Sequence, residues 1–346
     1  MPDLAGFARL SSYIRAYQAT DAQLYQKLAT PNIKSHCHQD MHMDAGPGPT
    51  KENATMSAPL VYHHTPPALL PLYGKALLPK SGKNHPEAVQ IPRLEASLLG
   101  VTTDSSALRD YMKVCSFQPG TRLPVTWPHI LAFPLHLKLL TEPAFPLPLL
   151  GLVHLRNSIT QHRPLAAGEN LDLKVILDNQ KRTDRGLEFD LVTEARASGR
   201  LIWEEVSTNL FRITNGPGKT STKPKPELET YPFSEAIKAP ENLGRQYAKV
   251  SGDRNPIHMH ALSARAFGFP RAIAHGMWSK ARALALLENQ KGWKDGPVRA
   301  SCQFKKPLLL PGNAMLNWQT GKDGWDFQLL NAKGDAPHLT GRIDWL

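Results

Sequence analysis

Gly276-Met277-Trp278-Ser279-Lys280-Ala281-Arg282-Ala283-Leu284-Ala285-Leu286-Leu287-Glu288 carries a helical period. Met277, Ala281, Leu284, Ala285 and Leu287 recur at steps of three and four and form one apolar face, with Lys280 and Arg282 off it. Alternating stretches follow at Val298–Lys306, Ala314–Thr320, Trp325–Asn331 and Leu339–Asp344, joined by glycine-containing turns such as Gly321-Lys322-Asp323-Gly324. One helix followed by an antiparallel run predicts an α+β layout, a sheet wrapped on a buried helix.

The same order occurs earlier in the chain. Ser301-Cys302-Gln303-Phe304-Lys305-Lys306-Pro307 can be laid on Ser158-Ile159-Thr160-Gln161-His162-Arg163-Pro164, and Tyr247–Asp253 on Tyr111–Phe117. Two matches in the same order predict an internal duplication. Matching strands are expected at Val153–Gln161, Asn170–Asp178, Gly186–Ala195 and Ile202–Arg212.

Composition shifts suggest the boundaries. Residues 1–55 include the polar run Ser35–Asp44 and Gly46-Pro47-Gly48-Pro49, which predict a disordered tail or an over-extended start, Met56 being an alternative first residue. The chain then divides into a repeat at 56–214, a Gly-, Pro- and Lys-rich linker at 215–230 and a second repeat at 231–346. Gly218-Lys219-Thr220 in the linker is not a phosphate loop, because Ile213 stands where that motif needs glycine. His36, Cys37, His38 and His42 fit no closed structural zinc spacing, so neither metal nor cofactor is expected.

Lys and Arg outnumber Asp and Glu by 41 to 30, a net charge of +11 that favours anionic ligands, nucleic acid among them. Nucleic acid is not expected, because no recognition helix, RNP-like strand or zinc-finger spacing appears. Three scattered cysteines, Cys37, Cys115 and Cys302, describe no disulfide framework, which favours a reducing compartment. The apolar stretch from Ile130 to Leu155 is broken by prolines, His136, Lys138 and Glu142, so it is expected to be buried or to line a cleft, not to span a membrane. With no secretory signal pattern after Met1, the cytoplasm is the expected location.

Chemistry concentrates in Tyr247-Ala248-Lys249-Val250-Ser251-Gly252-Asp253-Arg254-Asn255-Pro256-Ile257-His258. Gly252 and Pro256 predict a turned loop, not a helix, from which Asp253 and His258 project into one cavity. With intrinsic pKa values of about 4 and about 6.5, a carboxylate and an imidazole can share the activation of water and the movement of a proton. Asn255 is placed to brace the loop through its side chain. Downstream, His275-Gly276-Met277 opens the helix, where unpaired N–H groups carry partial positive charge and a glycine admits a substrate carbonyl.

Ser251–His258 followed by Ile273-Ala274-His275-Gly276-Met277, with Phe304-Lys305-Lys306-Pro307-Leu308-Leu309-Leu310-Pro311-Gly312, resembles the MaoC-like, R-specific enoyl-CoA hydratase family. The resemblance implies a double hotdog: two copies of a helix wrapped by an antiparallel sheet, already a pseudo-dimer within one chain and compatible with a monomer or a homodimer. It implies a lyase of fatty acid metabolism that interconverts trans-2-enoyl and (3R)-3-hydroxyacyl thioesters of coenzyme A or an acyl carrier protein. Asp253 and His258 would activate water and protonate the α-carbon, and Gly276 would hold the thioester oxygen. Asn255, His275, Arg271, Lys305 and Lys306 are the candidate substrate contacts. An acyl-CoA thioesterase and a non-catalytic acyl-CoA-binding module are the alternatives. Two departures stand out: Leu284 occupies a position where some members carry a helix serine, and Phe117 faces Asp253 in the alignment of the copies. The second predicts a silent first repeat that helps shape an acyl tunnel, lined by Trp127–Pro134 and Phe145–Pro148.

Overall fold

The computed structural model describes residues 58–80, 82, 88–103, 106–120, 122–213 and 228–346. The expected tail, the His36–His42 group and most of the linker lie outside these residues. Strand β1 is Leu60–His63, α1 Leu69–Ala76, β2 Leu94–Thr102, α2 Ser106–Cys115, α3 Trp127–Thr141, β3 Val153–Gln161, β4 Asn170–Thr183, β5 Gly186–Ala197 and β6 Arg200–Arg212. Then come β7 Phe233–Ala239, α4 Leu243–Ser251, α5 Pro256–Met259, α6 Ala261–Arg265, α7 Gly276–Leu287, β8 Val298–Phe304, β9 Gly312–Thr320, β10 Gly324–Asn331 and β11 Pro337–Trp345.

The strands form one sheet in the order β1-β2-β4-β5-β6-β3-β8-β11-β10-β9-β7. Reading outward from the β3–β8 pair, β6, β5, β4 and β2 on one side answer β11, β10, β9 and β7 on the other. β1 is the addition, parallel to β2 at the edge. The equivalence of Ser158 and Ser301 places these two residues opposite each other in the β3–β8 ladder, their hydroxyls 2.9 Å apart, on the pseudo-two-fold axis. Burial alternates in register on the two halves: Leu171, Leu173 and Val175 of β4 match Ala314, Leu316 and Trp318 of β9. The fold is a double hotdog, with α3 and α7 as the two wrapped helices.

Both wrapped helices are buried nearly all round, as enclosure by a curved sheet requires. Pro128 costs α3 nothing in its first turn, where N–H groups have no helical partner anyway. Pro134 removes an interior bond, and burial of Ile130, Leu135, Leu137 and Leu139 holds the helix across it. Enclosure also corrects the amphipathic reading of α7: Lys280, placed off the apolar face, is fully buried. Among the described residues, no helix is long and apolar enough to cross a membrane.

Candidate active site

Helix α4 stops at Gly252, whose φ of 78° is left-handed and closes the helix with a bond from its N–H to the Ala248 carbonyl. A side chain there would be strained, and its Cβ would lie 2.6 Å from Leu69 Cδ1. The chain then turns through Asp253 and Asn255. The Asp253 N–H donates to Ser251 Oγ at 3.1 Å, and Asp253 Oδ1 accepts from the Asn255 N–H at 3.1 Å. Asn255 Oδ1 in turn accepts from the Ile257 N–H at 3.3 Å and caps α5. The loop expected here is therefore a turn followed by one helical turn, because Pro256 sits at N1, where its fixed φ favours a helix start.

Helix α5 presents His258 to the interior. Its Nδ1 lies 2.8 Å from the Ile273 carbonyl, and a carbonyl only accepts, so Nδ1 carries the proton and Nε2 keeps a lone pair. Burial lowers the His258 pKa from its ordinary value, with Asp253 acting in the opposite sense. His275 stacks on this ring with centroids 3.7 Å apart and planes inclined by 26°. Its Nε2 donates to the Asp253 main-chain carbonyl at 3.0 Å, leaving Nδ1 buried without a partner. Burial, then the neighbouring His258, pushes the His275 pKa down to about 3. Burial alone would raise the Asp253 pKa, but His275, His258, the Asn255 N–H and, last among the causes, His129 hold it below its ordinary value. The site therefore pairs a carboxylate with a neutral imidazole that has one free lone pair.

Asp253, His258 and His275 offer ligand atoms within 4.8 Å of one another. Gly276 opens α7 directly after His275, and an added Cβ would meet the Phe304 ring at 3.0 Å. Its N–H and that of Met277 have no partner within the helix and border the same cavity.

Tyr73, in the first repeat, completes the loop. Its hydroxyl donates to the Gly252 carbonyl at 2.7 Å and accepts from the Arg254 N–H at 2.7 Å, bracketing Asp253 on both sides. Burial, and then Asp253, raises its pKa, so it stays a neutral O–H. No motif marks Tyr73 in the sequence; only the packing of α1 over Gly252 brings it there.

These groups border a cavity of about 310 Å³. Both repeats line it: Ile130, Phe133, Leu137 and Leu140 of α3 give an apolar wall opposite Asp253, Asn255, His258, His275 and Gly276. Lys305 and Lys306 border it as well, whereas Arg271 is exposed and does not. Of the aromatic stretches expected to line a tunnel, Phe133 does so, while Trp127 and Phe145 belong to the core. Leu284 is also core, 1% exposed, away from the cavity. Phe117 follows α2 as Asp253 follows α4, and it packs on Tyr111 with ring centroids 6.1 Å apart.

Residues 220–333 match the model of the MaoC like domain. The chain is 35% identical over 261 residues to 3-hydroxyacyl-thioester dehydratase X of Mycobacterium tuberculosis, covering 75% of this chain and 91% of that protein. The chain belongs to the MaoC-like dehydratase family. A crystal structure of HtdX from M. tuberculosis superposes on this MaoC-like chain with a TM-score of 0.63 at 33% identity, over 73% of this chain and 100% of that one. A MaoC-like dehydratase from Phytophthora capsici shares the fold with a TM-score of 0.58 at 18% identity, over 73% of this chain and 95% of that one.

Proposed function

We propose that this chain is a lyase that adds water reversibly to trans-2-enoyl thioesters and forms (3R)-3-hydroxyacyl thioesters. The observation that carries the reading is the tautomer of His258, whose Nδ1–H bond to Ile273 leaves Nε2 as a base beside the Asp253 carboxylate. Family membership and the dehydratase name of the M. tuberculosis relative support it.

In the hydration direction, Asp253 and His258 take a proton from water as its oxygen bonds to the β-carbon. The π electrons move to the thioester oxygen, giving an enolate, and the proton then goes to the α-carbon, so that one water is consumed. Negative charge on the thioester oxygen would be met by the Gly276 N–H at the positive end of α7. Dehydration runs through the same groups in reverse. His275 and Asn255 shape the loop in this reading, and Lys305 and Lys306 offer charge to the anionic carrier, coenzyme A or an acyl carrier protein. Arg271 would act only at the outer surface. The catalytic repeat is 231–346, and the repeat at 56–214 is silent and forms the acyl wall. Buried free thiols at Cys115 and Cys302 support a reducing, cytoplasmic setting.

Alanine at Asp253 or at His258 should lower crotonyl-CoA hydration by about two to four orders of magnitude, the range for a lost acid–base group, with the fold intact by circular dichroism. Full turnover in both variants overturns the assignment. Thiol release in place of loss of enoyl absorbance would point to the thioesterase alternative.

A further inference from the structure

The apolar wall supplied by the first repeat is interrupted by a polar cluster whose members take no proton-transfer step in the hydration chemistry. His129, on α3, lines the cavity, and its Nδ1 lies 2.9 Å from the Glu205 carboxylate. Glu205 is fully buried on β6 and accepts from Asn157 Nδ2 at 2.6 Å, while the same amide nitrogen reaches Ser207 Oγ at 2.8 Å. The ammonium of Lys280, from the other wrapped helix, donates to Asn157 Oδ1 and, at 2.8 Å, to the Ala300 carbonyl. His136 packs edge-on against His129 with centroids 5.3 Å apart, and its Nε2 lies 2.8 Å from Thr193 Oγ1.

Stability gives no reason for this arrangement. A buried carboxylate and ammonium lose hydration that their mutual attraction barely restores, and apolar residues of the same shape commonly serve a core as well or better. The geometry does have one consequence: with Nδ1 tied to Glu205, His129 has only Nε2 left for the cavity. A second observation points to a polar ligand. His154 Nε2 is buried without a hydrogen-bond partner, and His154 lines this cavity. An alkyl chain filling the cavity would give His129 Nε2 no hydrogen-bond partner.

We propose that the Glu205–His129 pair is a specificity element, holding an imidazole nitrogen toward the acyl chain so that chains bearing a hydroxyl group beyond the reacting carbons are taken in preference to plain alkyl chains. A hydroxyl suits the site because it both donates and accepts, and so pairs with a neutral or a protonated imidazole. The inference rests on the hydratase reading and deepens it.

The test compares kcat/KM for trans-2-enoyl-CoA substrates of equal length, unsubstituted or carrying one hydroxyl along the chain, in the wild-type protein and in His129→Leu. The expected result is a wild-type preference for the hydroxylated substrate of about tenfold, the weight of one good hydrogen bond, collapsing toward equality in His129→Leu. A wild-type protein that favours neither substrate, or a preference that survives His129→Leu, overturns the inference. Should His129→Leu not fold, the dissociation constants of the matching saturated acyl-CoA thioesters for the wild-type protein decide: tighter binding of the hydroxylated one supports it, and equal binding overturns it. Turnover of neither enoyl substrate would instead count against the hydratase reading, which crotonyl-CoA tests separately.

Discussion

His258 and His275 lie face to face, 3.7 Å between ring centroids, and both are bonded to main-chain carbonyls that accept a proton from them. Two imidazolium rings at that distance would repel, and neither has bulk water to spread the charge. The stack keeps the two rings from both being charged, and burial selects the neutral state for His258 and leaves its Nε2 as the site's base.

This neutral state sets the acid limb of the rate profile. Burial places the His258 pKa below 6.5, and ionised Asp253 persists lower still. The limb of kcat/KM for hydration should therefore have its midpoint below pH 6.5, with the base lost on acidification. A pH–rate profile with an acid midpoint above 6.5 would contradict the assigned tautomer.

Tyr73 acts on the reaction through the Asp253 loop, not on the substrate. Removing its hydroxyl in Tyr73→Phe leaves the Gly252 carbonyl and the Arg254 N–H without this partner. We expect kcat to fall about tenfold or more with a smaller change in KM, because misplacing a catalytic group affects the transition state more than binding. Equal losses in KM alone would assign Tyr73 to binding.

Gly244 is an indirect control on His258. A Cβ at this position would lie 1.8 Å from the His258 carbonyl oxygen, a backbone atom that has to move with its helix. Gly244→Ala should lower both thermal stability and turnover, whereas alanine at Gly120, where nothing lies within 4 Å, should change neither. Thermal melts and crotonyl-CoA assays on the two variants check this.

Acid should unfold the protein through its buried histidines. Burial, first among the causes, lowers the pKa of His136 and of His275 to about 3 and that of His154 to about 4. The unfolded chain, with ordinary values near 6.5, binds these protons first, so stability is full above that value and falls as the pH drops toward 4. Each such histidine contributes about 1.4 kcal/mol per pH unit in that window. Urea midpoints at pH 7, 6 and 5 should decline progressively, and His154→Phe should make the decline shallower.

Much of the architecture was legible because periodicity and repetition are local properties. β3 has the ends expected from its alternation, and the serines aligned between the two repeats, Ser158 and Ser301, are the pair the structure brings together across β3 and β8. The turn before Asp253 was legible from Gly252, since only that residue type takes the left-handed closure readily. α3 was not, because two prolines argue against a helix until burial in the sheet outweighs them.

The sequence by itself determined the repeat, the wrapped helix of the second copy and the juxtaposition of Asp253 with His258, which are five residues apart. The tertiary structure alone decided that Lys280 is buried, that Tyr73 reaches across to clamp the Asp253 loop, and that His129 and Glu205 meet. The reason is physical. A helix period tells which residues share a face, but a sheet that closes around the helix buries every face, and contacts between residues 76 apart within one repeat, or 181 apart across the two, depend on how the elements pack in three dimensions.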